Sequence, residues 1–263
     1  MFKLFGKPEK PQYNDRVLYR KKHSGYGTVI VRETFENDEW IHLLTVDGTR
    51  ESAAYTAPDR HNDLVFPYTK EFEKIFFVRP ELKSCLMLGG AGCSYPRYYI
   101  SRHPECSMDV VEINPEMFFL AKKYFYLDEL FREYELEETG RLSLIIDDAA
   151  GYLRSSGKVY DAVINDAYIS NRIDMSLISP GNTSLVKSSL SENGVYLVNL
   201  ISAVVGELSM PRHFVMNILS GFFENLTLYP VKPWLDPASN QNCVIIASDA
   251  AIPEHVTEPF GRP

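Results

Sequence analysis

Five near-continuous apolar runs, separated by helical stretches, follow Lys83 and leave few folds open to the chain. They are CLMLG (Cys85 to Gly89), MDVVEI (Met108 to Ile113), LSLIID (Leu142 to Asp147), YDAVIND (Tyr160 to Asp166) and GVYLVNLI (Gly194 to Ile201). A run without polar alternation marks a parallel strand covered on both faces, and strands alternating with helices imply βαβ units. Two further strands, Asn225 to Val231 and Asn242 to Ser248, succeed one another without a helix and read as an antiparallel pair at the sheet edge. The expected core is a seven-stranded, doubly wound α/β sheet. Its helices carry their own signals. Asn114 is a cap candidate, Pro115 suits a first turn, and Met117, Leu120, Ala121 and Tyr124 recur on one face. A helix from about Pro211 would turn Phe214, Val215, Ile218, Leu219 and Phe222 inward.

Upstream the texture changes. From Arg16 to Tyr68 the chain is short-stranded and turn-punctuated, with Asp47-Gly48 as a strong hairpin signal. A small antiparallel sheet is expected there. The expected division is a β domain over residues 1–68 and an α/β domain over residues 69–263.

Charge and composition remove several classes. Lys and Arg total 27 against 35 Asp and Glu, a net charge of -8, which makes the chain a poor candidate for general nucleic-acid binding, since phosphate contacts need a basic face. The longest apolar stretch, Val195 to Gly206, is broken by Asn199 and Ser202 and falls short of the roughly 18 residues of a membrane span. The opening MFKLFGKPEKP has no apolar core, so no secretory leader is expected. Cys85, Cys93, Cys106 and Cys243 form no CxxC pair, which points to reduced thiols in a cytoplasmic protein. The histidines are scattered without ligand spacing, so no metal is expected, and no Ser-His-Asp order or nucleophile elbow occurs.

In a doubly wound sheet, ligands sit beyond the carboxyl ends of the strands, where strand order reverses. Gly89-Gly90-Ala91-Gly92 follows the first core strand and would let a ligand approach the backbone. It lacks a third glycine at the dinucleotide spacing, where Tyr95 falls, and has no Walker lysine. Glu112, with Ile113 beside it, ends the second strand 23 positions after Gly89. That is the place for an acid accepting from ribose hydroxyls; the alternative is a solvated strand-end carboxylate. Asp147-Asp148-Ala149 follows the third strand, where one of the two carboxylates would accept from an adenine amino group; the alternative is helix capping by Asp148. Asp166 ends the fourth strand, facing the reactive end of a nucleoside. Together these residues suggest an adenosine-sulfonium ligand rather than NAD.

From about Val17 to Ile201 the chain resembles the spermidine synthase-like family. The segments that carry the resemblance are HSGYGTVIV, TVDG, LGGAGCSYPRYYISRHP, VVEINPEMFFLAKKYF, DDAAGYLRSSGKVYDAVINDAY and NGVYLVNL. The resemblance implies a Rossmann-like methyltransferase sheet behind a small β domain. It implies a donor, S-adenosylmethionine or decarboxylated S-adenosylmethionine, bound by the Gly89 to Gly92 loop, Glu112 and Asp148, with Asp166 in the catalytic acid position. Tyr68 falls near the family's substrate-site tyrosine, and Tyr168 would shape the acceptor pocket. The partners implied are a small-molecule substrate, an amine among the candidates, and a second copy in a homodimer.

The chain departs from the aminopropyltransferase pattern at three places. Gly92 stands where they carry an acid in the loop, Gly27 follows Tyr26 where they carry glutamine, and Ile169 stands where they carry a second acid. Without an acid at Gly92, the loop N–H groups from Gly90 to Cys93 are expected to receive the carboxylate of intact S-adenosylmethionine. The expectation is therefore transfer of an alkyl group, methyl ahead of aminopropyl. The alternatives are a polyamine aminopropyltransferase with an altered pocket and a non-catalytic nucleoside-binding protein. Residues Ser170 to Asn182 are expected to gate the site.

Overall fold

The computed structural model describes residues 15–23, 27–169, 172–173 and 175–258. The opening MFKLFGKPEKP, Tyr26, and Ser170, Asn171 and Asp174 of the expected gate lie outside the described residues.

Four strands, β1 (Arg16–His23), β2 (Gly27–Glu36), β3 (Glu39–Val46) and β4 (Thr49–Tyr55), form an antiparallel meander in sequence order. Its turns are the ones the residues favour. Asp47 and Gly48 both take positive φ, 47° and 84°, the backbone twist that joins two right-twisted strands by a two-residue turn. Asn37 and Asp38 do the same between β2 and β3, at 49° and 64°. Val29, Val31, Leu44 and Ala54 on one face pack against Met117, Leu120 and Phe125 from the helix Pro115–Tyr124 and the residue after it. A four-stranded sheet is marginal alone, so the helix completes its core.

The second sheet has the expected seven strands. They are β5 (Ser84–Leu88), β6 (Ser107–Glu112), β7 (Leu142–Ile146), β8 (Tyr160–Asn165), β11 (Leu190–Ser202), β12 (Asn225–Pro230) and β13 (Gln241–Ser248). A two-residue ribbon, β9 (Tyr168–Ile169) with β10 (Arg172–Ile173), intervenes. The order is β12-β13-β11-β8-β5-β6-β7, parallel from β11 to β7 and antiparallel across β13 and β12. Alternate residues of one strand enter opposite cores: Cys85 and Met87 join one cluster, Leu86 and Leu88 the other. That two-sided burial is why the runs read as unbroken hydrophobicity.

Two details differ from the sequence expectation. β11 begins at Leu190, four residues early, where Leu190 pairs with Tyr160 before a register shift at Val195. The last long helix spans Met210–Leu219 and buries Val215 and Leu219, but Phe214 is 53% exposed. Among the described residues, no helix is long and apolar enough to cross a membrane.

Candidate active site

Strand order reverses between β5 and β8, and a cavity of about 910 Å³ opens at their carboxyl ends. The glycine loop after β5 forms one wall. Gly89 has φ +88°, and a Cβ there would stand 2.5 Å from the Asp166 carbonyl oxygen, so the loop can lie against the end of β8 only as glycine. Asp166 N–H in turn donates to the Leu88 carbonyl at 2.9 Å.

The loop's own N–H groups are spoken for. Gly90 and Ala91 each donate to Glu112 Oε2 at 3.1 Å, Gly92 donates to Ser52 Oγ at 2.9 Å, and Cys93 donates to the Gly90 carbonyl at 2.7 Å. The expected carboxylate receptor is therefore absent: the groups meant to form it are consumed in holding the loop's shape. Glu112 also accepts from Asn114 N–H at 3.0 Å through Oε1, so its carboxylate ties loop, strand and following helix together. Asn114 caps that helix as expected, accepting from Glu116 N–H at 3.1 Å. Asp148 takes the capping alternative, accepting from Gly151 N–H at 2.7 Å.

All the expected site residues except Gly92 line this one cavity: Gly89, Gly90, Ala91, Glu112, Ile113, Asp148, Ala149, Asp166, Tyr68 and Tyr168. Gly92 is turned away onto β4, where a Cβ would meet Ser52 Cβ at 2.7 Å. Tyr68 reaches the site from the short helix Pro67–Lys70, which leads into the core cluster of the large sheet.

Asp166 is the centre of a polar relay. Asn199 Nδ2 donates to its Oδ1 at 2.7 Å, and the Tyr68 hydroxyl also donates to its carboxylate. Asn242 Nδ2 holds Asn199 Oδ1 at 3.0 Å, and the Tyr168 hydroxyl donates to the Asn199 carbonyl at 3.1 Å. Burial drives the Asp166 carboxyl up to about 7, against the two hydrogen bonds, which favour the ionised form.

The sequence reading overlooked Glu51, Asn199 and Asn242. Glu51 comes from β4 and lines the cavity; burial, then the Asp166 and Glu112 charges, push its carboxyl up to about 8. Its signal was a carboxylate placed between the Asp47-Gly48 turn and the small, buried Ser52-Ala53-Ala54. β4 is pinned there by two bonds, Gly92 N–H to Ser52 Oγ at 2.9 Å and Ser94 Oγ to the Ala53 carbonyl at 2.9 Å. Asn199 was visible as the polar break in an apolar strand.

Comparison with known proteins matches this architecture. No family model matches the chain. It is 27% identical over 191 residues to the polyamine aminopropyltransferase of Vibrio vulnificus, an alignment covering 71% of this chain and 60% of that protein. It is 26% identical over 137 residues to that of Chromobacterium violaceum, covering 52% of this chain and 49% of that one. The chain thus spans less than two thirds of the length of these relatives. Among solved structures, a probable spermidine synthase from Corynebacterium glutamicum superposes with a TM-score of 0.70 at 17% identity, covering 91% of this chain and 81% of that one. Spermidine synthase from Thermotoga maritima gives 0.65 at 17% identity, covering 93% and 76%. Human methyltransferase-like protein 13, in complex with SAH, gives 0.53 at 19% identity, covering 75% and 86%. The chain is similar in sequence to polyamine aminopropyltransferases, and its fold resembles those of spermidine synthases and of a methyltransferase-like protein.

Proposed function

We propose that the chain transfers an aminopropyl group from decarboxylated S-adenosylmethionine to a small-molecule amine. The observation that carries this reading is the convergence of Glu51, Glu112 and Asp166 on one cavity, where burial first and then the neighbouring acids push the Glu51 carboxyl up to about 8. Gathering carboxylates in a partly enclosed site is costly unless positive charge meets them. Sulfonium and ammonium groups supply that charge. The names of the sequence relatives support the same chemistry.

The residues present suit such a donor. The Gly89 to Ala91 loop offers a close-approach wall, and Glu112, stiffened by three N–H donors, retains one lone pair on Oε1 for a ribose hydroxyl. Asp148, Ala149 and Ile113 border the same wall. Intact S-adenosylmethionine suits it less, because its carboxylate would meet like charge and find no free loop N–H. This favours the aminopropyl alternative over methyl transfer.

The bound donor supplies a carbon attached to positively charged sulfur; the amine nitrogen forms a C–N bond there as the C–S bond breaks and a thioether leaves. Asp166 takes the proton the nitrogen must lose, and its carboxyl at about 7 suits that exchange near neutrality. Asn199 and Tyr68 aim the carboxylate. Glu51, protonated while the cavity is empty, ionises to neutralise an ammonium bound in the same enclosure, and the Tyr168 hydroxyl braces the Asn199 carbonyl.

The test offers each donor with an amine panel and separates the products by mass spectrometry. Amine-dependent methylthioadenosine from the decarboxylated donor is the expected result. S-adenosylhomocysteine from the intact donor would instead establish methyl transfer, and calorimetric binding of either donor without turnover would leave a non-catalytic binding protein.

A further inference from the structure

The cavity changes character beyond Asp166. From the end of β8 the wall runs to Asn199 on β11, to Asn242 on β13, and then to Gln241 and Lys232, which follows β12. Carboxylate gives way to neutral amide and then to cation. Two cationic side chains line the described cavity, Arg50 and Lys232. Arg50 is held by Glu36 through two bonds of 2.7 and 3.2 Å, whereas the Lys232 ammonium has no ion pair among the described residues.

Gln241 supplies an independent observation. It is 7% exposed, its Oε1 accepts from Lys232 N–H at 3.1 Å, and its Nε2 has no hydrogen-bond partner among the described residues. The bond to Lys232 N–H fixes the amide's orientation, since a flip would set donor against donor. A buried N–H₂ left without an acceptor is costly, so a site that keeps one is arranged to give it an acceptor. Lys232, whose backbone N–H holds that amide, lines the same stretch of wall and adds a cation to it, and the ligand group that suits an amide donor and a cation together is a carboxylate.

We infer that Gln241 and Lys232 form a carboxylate subsite for the far end of the acceptor, so that the acceptor is an ω-amino acid rather than a diamine. This rests on the aminopropyl-transfer reading. The amine end lies at Glu51 and Asp166, and the carboxylate lies at the opposite end of the relay. A diamine would instead bring its second ammonium against Lys232, a like-charge contact that works against binding.

Matched ligands test this on the protein as it is. Calorimetry in the presence of methylthioadenosine would compare 4-aminobutanoate with putrescine, and 5-aminopentanoate with cadaverine, pairs differing only at the far end. The amino acid should bind about tenfold more tightly in each pair, as expected for a charge-assisted hydrogen bond gained. Lys232→Glu should invert the preference, and Gln241→Met should weaken the amino acids while sparing the diamines. Equal or tighter diamine binding in the unmodified protein overturns the subsite, as does a preference that survives Lys232→Glu. A carboxylate on the donor is the competing source. If Lys232→Glu weakens binding of intact S-adenosylmethionine and leaves 4-aminobutanoate unchanged, the subsite serves the donor and the acceptor assignment is overturned. Turnover of a diamine that binds more tightly than its paired amino acid removes the subsite alone, while failure of every amine to release methylthioadenosine removes the transfer reading with it.

Discussion

Asn199 donates to Asp166 at 2.7 Å while its own amide oxygen is held by Asn242 at 3.0 Å. The second bond settles the first, because a reversed Asn199 amide would present a donor to the Asn242 donor and an acceptor to a carboxylate. Asp166 is therefore fixed between two donors, Asn199 and Tyr68, both of which favour its ionised form against the burial that opposes it. A strand pair, β11 with β13, thus sets the proton affinity of a group at the end of β8.

That relation has a kinetic consequence. Asn199→Ala removes a donor that lowers the Asp166 proton affinity, so the carboxyl should rise above its value of about 7. The acid limb of the kcat/KM profile should move to higher pH, and Tyr68→Phe should move it in the same direction. Asp166→Asn should lower kcat by about 10²- to 10⁴-fold, the usual worth of a proton acceptor, with donor affinity kept. A limb that stays in place in both relay variants would mean that another group titrates.

Gly92 yields a prediction about structure rather than donor choice. It lies against β4, where an added Cβ would come within 2.7 Å of Ser52 Cβ. Gly92→Asp should therefore destabilise the contact between the two sheets by about 1–3 kcal/mol through overpacking, and add no charge to the cavity wall. Thermal denaturation checks the loss, and Ser52→Gly in the same chain should recover part of it. A folded Gly92→Asp variant of unchanged stability, with altered donor preference, would return Gly92 to the site.

Much of the core was legible because its signals are local. Unbroken apolar runs such as Cys85 to Gly89 arise directly from two-sided burial, and Asn114-Pro115 marks a helix start by backbone chemistry alone. The strand-end acids were legible for the same reason, since a doubly wound sheet has one binding edge. Glu51 was not, because its relevance depends on β4 docking onto the glycine loop more than 30 residues away, at Ser52–Gly92 and Ala53–Ser94. The fate of the loop N–H groups was illegible too. Whether they face a ligand or Glu112 is decided by side-chain reach in three dimensions. Phe214 fits the helical period but is about half exposed, so periodicity alone placed it inward.

Glu112 should prove structural and functional together. Its carboxylate accepts from Gly90, Ala91 and Asn114 N–H, so Glu112→Ala leaves those three donors unpaired. The cost should be about 1–3 kcal/mol in unfolding free energy, with a fall in donor affinity alongside it. Denaturant titration and donor calorimetry on one preparation measure both. Glu112→Gln, which keeps only part of the acceptor capacity, should fall between. Loss of donor affinity at full stability would show that the loop holds its shape without the carboxylate.

The acids of the cavity also set the pH dependence of stability without ligand. Asp166 and Glu51 are held at about 7 and about 8 in the folded chain, against roughly 3.9 and 4.3 for unfolded carboxyls. Between those limits the folded chain binds more protons than the unfolded one, so stability must fall as pH rises. Their contribution is complete below the unfolded values and is lost as pH climbs through the folded ones. Asp109, Asp161 and Asp249 act oppositely: hydrogen bonds from lysine, tyrosine or backbone N–H lower their proton affinity, so they weaken the fold only in acid. Tm should therefore be highest near about pH 5 and decline towards pH 8 or so, the interval those shifts define. Glu51→Gln should flatten the decline and raise Tm at its alkaline end, because the neutral amide removes an acid that must ionise beside Asp166 and Glu112. A bound amine should do the same for the unmodified chain by supplying the missing positive charge. A Tm that rises steadily across this interval, or a Glu51→Gln slope equal to that of the unmodified protein, would show that these carboxyls do not share one enclosure.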